Sequence, residues 1–176
     1  SPSIHKLNSP ENCNDQISQE TQTKTMTTAE LPLTSTSILP NMFQFCRRLQ
    51  EVKIPPSVTS IGHFAFHECI SLRSIEIPQN VASIGDYSFC LCSLLDQISI
   101  QSNLTSIGSH AFSRRSSLKN LVIPSSVSLI GSSAFSWCTS LTKFEIPSNL
   151  KRIEESTFFG CTSLLCVKIP SSVESI

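Results

Sequence analysis

The sequence predicts a right-handed repeat solenoid in which each coil contributes one short parallel strand and short helical turns. The main observation is that residues 55–77 recur, with substitutions, at intervals of 23 residues along the rest of the chain. The repeats share a column of isoleucine and a column of phenylalanine. The isoleucines are Ile38, Ile61, Ile84, Ile107, Ile130, Ile153 and Ile176, and the phenylalanines are Phe43, Phe66, Phe89, Phe112, Phe135 and Phe158. A fixed period with an unchanging register is typical of a solenoid, because each coil can bury its apolar face only against its neighbours.

Length and charge exclude several classes of protein. At 176 residues the chain can hold one domain of ordinary size. Its 13 basic and 13 acidic residues balance, so the composition does not indicate a nucleic-acid partner. No apolar run approaches the ~18 residues that a membrane helix needs, which predicts no membrane insertion in this segment. The chain begins at Ser1 without a Met or an apolar leader, and this leaves its location open.

The chain is predicted to divide into a tail and a solenoid. Residues 1–31 are rich in Ser, Thr, Gln and Asn, and a segment with so few apolar groups cannot offset its ordering entropy. They are predicted to be a disordered tail or a degenerate cap. Residues 32–176 are predicted to form about six coils, truncated at the C-terminal end. Because an open strand edge pairs readily with another chain, the isolated protein is expected to associate end to end.

Each coil begins with a predicted strand. Ile75, Glu76 and Ile77 alternate between apolar and polar, and Pro78 prevents the strand from continuing. Equivalent strands, expected to form a single parallel sheet, are centred on Val52, Ile75, Ile98, Leu121, Phe144 and Val167.

The rest of the coil is predicted to turn back through an arc and a short helix. Val81 and Ile84 are three residues apart, as in an arc, and Gly85 is predicted to supply a turn with positive φ. The apolar spacing from Ile107 to Phe112 suits one or two helical turns. Suitable helix N-cap residues follow the glycine at Asp86, Ser109 and Ser132.

These columns carry a resemblance to a known family. Residues 69–89, CISLRSIEIPQNVASIGDYSF, follow the pattern C-x-S-L-x-x-I-x-I-P-x-x-V-x-x-I-G-x-x-A-F, with Ser88 in place of Ala. The chain therefore resembles the BspA-like, treponemal-type leucine-rich repeat family over residues 32–176. It departs from the pattern at Gln101 in place of Pro and at Arg115 in place of Cys. The resemblance implies a curved array, often found on the surface of bacteria and parasitic protists, that binds host proteins or matrix.

Cysteine recurs in the register of the repeats, and Arg115 interrupts the column. Stacked cysteines point the same way at about the strand spacing, whereas a disulfide needs Cβ atoms about 3.8 Å apart. They are predicted to be buried thiols, with occasional bridges between neighbours as the alternative. Because a buried guanidinium without a partner is costly, Arg115 is predicted to reach solvent beside Arg114. The column consists of Cys46, Cys69, Cys92, Cys138 and Cys161.

Candidate chemistry is sparse. His63 and His67 lie four residues apart beside Glu68, but the order does not match a metalloprotease motif and no third ligand recurs nearby, so they are interpreted as solvated residues. The sequence has no C-x-x-C pair, nucleophile elbow or phosphate-binding glycine loop. The sequence therefore predicts no enzyme, no metal and no cofactor.

The outward side of the predicted strands is more informative. Its middle coils carry a neutral, mildly apolar stretch between charged ends, and solenoids use such extended surfaces for binding. The predicted partner-binding residues are Gln97, Ser99, Asn120, Val122, Lys143 and Glu145. Aromatic side chains on the opposite side are interpreted as lateral packing between coils.

We therefore expect a non-enzymatic protein-protein interaction module, from a cell-surface or secreted adhesion-type protein. The alternative is a sensing or scaffold repeat region of an intracellular signalling protein, in which buried thiols would suit the cytoplasm.

Overall fold

The structure, a computed structural model, describes residues 4–6, 26–100 and 103–176; for residues 4–6 it describes only the backbone. These residues form short strands joined by turns, and among them there is no helix. The strands are β1 (Ile4–Lys6), β2 (Thr28–Glu30), β3 (Ser37–Ile38), β4 (Glu51–Lys53), β5 (Ser60–Ile61), β6 (Ser74–Ile77), β7 (Ser83–Ile84), β8 (Gln97–Ile100), β9 (Ser106–Ile107), β10 (Leu129–Ile130), β11 (Lys143–Glu145) and β12 (Cys166–Lys168).

All strand pairs are parallel, and nearly all keep the register of the repeat. Ile75 lies opposite Ile98, and Phe144 lies opposite Val167, in each case 23 residues further along the chain. The predicted parallel solenoid is confirmed.

The structure has two strand-bearing faces, whereas the sequence predicted one sheet. The second sheet joins β3, β5, β7, β9 and β10 in order. Its strands are two residues long, too short for an alternating pattern to show in the sequence. The prediction of a single sheet with one strand per coil is therefore wrong.

The first sheet, which we call the front face, is interrupted. It consists of three separate groups of strands, β1-β2-β4, β6-β8 and β11-β12. Residues 118–123 form no strand, so the prediction of a strand centred on Leu121 is wrong, although Leu121 itself is buried. The Thr142 N–H still donates to the Lys119 carbonyl at 3.2 Å and connects this coil to the next one. The other five predicted strand centres lie in β4, β6, β8, β11 and β12.

The two apolar columns form the core. The first five phenylalanines of their column are fully buried, and their rings stack nearly parallel with centroids 5.1–5.6 Å apart. The isoleucine column is buried up to Ile153. Replacing one stacked phenylalanine by alanine would cost about 3–5 kcal/mol, because both neighbouring rings would lose contact.

The turns opposite the front face are not helical. Each coil instead places two residues with positive φ four positions apart, for example Phe64 (φ 56°) and Glu68 (φ 59°). The predicted helical turns are therefore not present in the described residues. Asp86 does not cap a helix. Its Oδ1 accepts a hydrogen bond from the Ser109 N–H of the following coil at 2.8 Å.

The repeat glycines serve close stacking, which corrects the expected positive φ at Gly85. Among the described glycines, positive φ occurs at Gly160 (φ 73°), outside the repeat-glycine column. A Cβ on Gly85 would lie 2.6 Å from the backbone nitrogen of His63 in the preceding coil, and Gly131 is equally restricted by Ser109. Glycine is needed there because the coils approach too closely for any side chain.

The N-terminal part of the array begins before residue 32. β2 pairs with β4 in the 23-residue register, and Met26, Ala29 and Leu31 are buried in the core. Residues 1–3 and 7–25, on which the predicted tail or cap mainly falls, lie outside the described residues. We retain the division into residues 1–31 and 32–176 as a proposal, in which β2 belongs to the degenerate cap.

Candidate functional site

The front face presents the outward side chains of its strands as columns. In β4 and β11 the middle residue points inward, while the residues on either side are exposed. All six predicted partner-binding residues are exposed on this face. Gln97 and Ser99 lie in β8, and Lys143 and Glu145 in β11. Asn120 and Val122 lie between them, on the coil that lacks a front-face strand, and Val122 is 84% exposed.

A groove of about 960 Å³ runs across the first coils of the front face. It includes Gln97, Ser99 and Asn120 from the predicted set, whereas Val122, Lys143 and Glu145 lie outside its lining. The predicted set leaves out the charged residues of this groove, three of which lie on earlier coils than Gln97. The charged lining residues are Glu51, Lys53, Glu76 and Asp96.

The charges along this groove are exposed and do not pair with one another. The ion pairs found among the described residues all lie elsewhere, as in Arg47–Glu68 and Lys151–Glu174. Lys168 lies opposite Glu145 in the strand register, yet these two side chains form no ion pair in the described part of the chain. The groove charges are therefore available to groups from outside the molecule.

The cysteine column is structural; it is buried as far as Cys138, and Cys161 is half-buried. The thiols of Cys69, Cys92, Cys138 and Cys161 each donate to the carbonyl of the column phenylalanine in the preceding coil, at 3.0–3.1 Å. Burial raises the pKa of Cys92 and Cys138 to about 12, so both thiols are protonated at neutral pH. No disulfide joins the cysteines of residues 26–100 and 103–176, which supports the prediction of thiols. Cys13 lies outside the described residues.

Arg115 is fully buried, so the prediction that it reaches solvent is wrong. Its Nη2 donates to the Leu95 carbonyl, and the guanidinium lies 5.6 Å from the ring centroid of Phe112. Its Nε and Nη1 find no hydrogen-bond partner. Burial lowers the pKa of this guanidinium to about 10, which still leaves it charged at neutral pH.

His67 is not a solvated residue, which corrects its interpretation. Its ring is packed edge-on against Phe45 and Phe64, and burial lowers the pKa of the imidazole, with the Glu68 carboxylate acting in the opposite direction. Glu68 pairs with Arg47 at 2.5 Å, and His63 lies 3.4 Å from Asp86. Across residues 26–100 and 103–176, no group of three or more His, Cys, Asp or Glu side chains could hold a metal.

The aromatic side chains of the turns mostly pack on one another. Phe64 and Tyr87 stack with centroids 4.8 Å apart, and Tyr87 stacks on His110 at 4.5 Å. Trp137 contacts Phe159 edge-on and stays 45% exposed. The interpretation of lateral packing is supported for Phe64 and Tyr87. Over the described part of the chain, no helix is long and apolar enough to cross a membrane.

Comparisons with known proteins agree with this architecture. The family described as "BspA type Leucine rich repeat region" matches residues 16–142 and 128–176, with 6 copies. A leucine-rich repeat protein of T. pallidum is 32% identical, with a TM-score of 0.81, over 85% of this chain and 72% of that one. The comparison with curated proteins finds no match.

Two further solved structures are similar. A leucine-rich repeat protein of Bacteroides ovatus is 31% identical, with a TM-score of 0.69, over 83% of this chain and 46% of that one. A leucine rich cell surface protein of Faecalibacterium prausnitzii is 25% identical, with a TM-score of 0.57, over 84% of this chain and 55% of that one. The chain thus spans about half the length of these two proteins.

Proposed function

Because the chain belongs to the BspA-type leucine-rich repeat family, we propose that it is a non-enzymatic module that binds a protein partner through its front face. The observation that carries the proposal is the open groove, whose charged side chains are exposed and make no ion pairs with one another. A folded surface that leaves charges of both signs uncompensated favours a partner with complementary charges, since complementarity steers the encounter and fixes its register.

The exposed neutral part of the front face supplies the centre of the proposed contact. Val122 is an apolar side chain that is largely exposed to solvent, and Asn120 and Ser99 provide hydrogen-bond donors and acceptors beside it. Interfaces are typically apolar at the centre and polar at the rim. We therefore place the centre at Gln97, Ser99, Asn120 and Val122, with Lys143 and Glu145 at the rim.

A cell-surface or secreted location, in an adhesion-type protein, is part of the proposal. One of the similar solved structures is a leucine rich cell surface protein, which supports this location. The seven described cysteines, all thiols, favour the second candidate, a sensing or scaffold region of an intracellular signalling protein. A column of free thiols stays reduced in the cytosol, although burial also protects thiols from oxidation.

The front-face prediction is tested by replacing Asn120 and Val122 together with glutamate. Two added carboxylates at the centre of the contact should abolish saturable binding of the labelled protein to its target surface, because they would be desolvated without partners. The circular dichroism spectrum and the free energy of unfolding should stay unchanged, since both side chains are exposed.

The matched control is Leu129→Glu, an equally drastic change at an exposed side chain of β10 on the second sheet. Binding should survive in this control. Equal affinity of the N120E/V122E variant and the wild type would exclude this patch as the contact.

A further inference from the structure

One sequence motif lies at a corner of the solenoid, outside the front-face contact. Asn103, Leu104 and Thr105 follow the pattern N-x-T with a residue other than proline in the middle, which is the acceptor motif for N-linked glycosylation. Asn103 lies in a turn after β8 and before β9, where the chain passes from the front face to the second sheet. Its side chain is exposed, while Leu104 is fully buried in the core.

In three other coils a side chain at the same corner position joins neighbouring coils. Ser57, Asn80 and Ser126 occupy it in their coils, and each makes a hydrogen bond to the preceding coil, such as that from Asn80 Nδ2 to the Pro56 carbonyl at 2.8 Å. Among the described residues, none forms a hydrogen bond with the Asn103 side chain. Its amide is thus exposed and not required for the stacking of the coils.

The third residue of the motif is also distinctive. The asparagines equivalent to Asn103 are Asn80 and Asn149. Each lacks the required Ser or Thr two positions later, because Ala82 and Lys151 stand there, so neither asparagine is an acceptor. Thr105 completes the motif, and in the folded coil its hydroxyl donates to the Ala82 carbonyl at 2.9 Å. Three coils have asparagine at this position, and the acceptor motif is complete in one of them.

We propose that Asn103 is an N-glycosylation site. The co-substrate is an oligosaccharide carried on a polyprenyl pyrophosphate lipid, and a membrane-bound oligosaccharide transferase of the secretory route performs the transfer. The amide nitrogen of Asn103 bonds to C1 of the first sugar as the bond from C1 to the pyrophosphate oxygen breaks. The lipid pyrophosphate leaves with the electron pair, the amide loses one proton, and nothing is oxidised or reduced.

The geometry of the coil accommodates this modification. The side chain projects from a corner rather than from a strand, and the flanking corner residues, Asn80 and Ser126, are small and polar. A bulky, hydrated glycan there remains outside the core and is compatible with surface exposure. The proposal rests on the secreted or cell-surface location proposed above, because a chain that stays in the cytosol does not meet the transferase.

The experiment expresses the full chain behind a host signal peptide in a eukaryotic secretory cell. The wild type should carry one glycan, seen as a mobility shift that peptide-N-glycosidase removes with conversion of Asn103 to Asp in the tryptic peptide. Both Asn103→Gln and Thr105→Ala should abolish the shift. Ala82→Thr is the matched control, since it creates the same motif at Asn80, one coil earlier, and should add a second glycan.

An unmodified wild type overturns the proposal, whether or not the Ala82→Thr variant gains a glycan at Asn80. This outcome is independent of the proposed location, because the host signal peptide supplies entry to the secretory route. The location is tested separately by surface labelling of the source cell. Partner binding is tested with the Asn103→Gln variant, which should bind as the unglycosylated wild type does.

Discussion

At the scale of single residues, Arg115 costs the fold stability. The guanidinium is charged and fully enclosed, and one carbonyl oxygen is its acceptor while Nε and Nη1 have none. The column thiols of Cys92 and Cys138 stay neutral and cannot serve as counter-ions. The Asp96 carboxylate attracts the guanidinium, but the two groups form no ion pair in the described part of the chain. Each buried polar atom without a partner costs about 1–3 kcal/mol. The burial of Arg115 is thus a local defect in an otherwise regular core.

We predict that Arg115→Cys raises the free energy of unfolding by about 1–3 kcal/mol. A cysteine at this position restores the column and can donate to the Phe89 carbonyl, as Cys92 does to Phe66. Urea denaturation of the two proteins measures the difference. Arg114→Ala, at the exposed neighbouring position, should change the stability by no more than about 0.5 kcal/mol. A loss above about 2 kcal/mol in R115C would instead show that Arg115 forms a buried ion pair in solution.

At the scale of structural elements, the cysteine column links stability to pH. Burial raises the pKa of Cys92 and Cys138 to about 12 in the folded state, from an ordinary value of 9.0. Between these values the folded protein binds more protons than the unfolded chain, so its stability falls as the pH rises above 9. Arg115 acts in the opposite direction, because its lowered pKa of about 10 favours the folded state at higher pH.

We predict that the free energy of unfolding falls less in Cys92→Ala than in the wild type when the pH is raised from neutral to a value between 9 and 12. The variant is less stable at neutral pH, but it has one fewer thiol that must stay protonated in the folded state. Urea midpoints at the two pH values measure the change, and Arg115 is common to both proteins. Cys166→Ala, at the exposed thiol, should keep the wild-type dependence. Parallel pH profiles for C92A and the wild type would contradict a buried, protonated column.

The sequence could predict those elements in which each coil contributes one inward-pointing apolar side chain to a column. The register of the isoleucine and phenylalanine columns determines the parallel pairing, and five strand centres follow from it. The second sheet could not be predicted, because each strand offers two residues and the step from Val81 to Ile84 resembles an arc. The turns resemble helices in the sequence because aromatic residues such as Phe64 and Trp137, rather than glycines, occupy the positions of positive φ.

The candidate site was predictable in part for a related reason. Alternation along β8 and β11 shows which side chains point outward, and these are exposed on the front face. The groove depends on how successive coils are offset, and this places Asp96 and Gln79 beside the strand residues. The position of Arg115 depends on whether its side chain can pass between coils, which no periodicity reveals.

At the scale of the whole molecule, the last coil of the array differs from its middle. The last coil leaves exposed the same columns that are buried in earlier coils. Ile146 and Ile153 are buried, whereas their equivalents Ile169 and Ile176 are 49% and 86% exposed. In the described part of the chain, β12 pairs with β11 alone, so its other edge offers unpaired backbone groups.

We therefore predict that the isolated 176-residue chain associates end to end with other copies of itself. An uncovered apolar end and an open strand edge are both satisfied when another coil stacks on them in register. Light scattering should show a mass that increases with protein concentration. Replacing Ile169 and Ile176 together by aspartate should return the protein to a monomer, because the stacked end would then bury two charges. Val122→Glu, at an exposed position two coils before this end, should leave the association unchanged. A wild-type protein that stays monomeric at high concentration would show that the last residues, from Val173 onward, cover the end sufficiently by themselves.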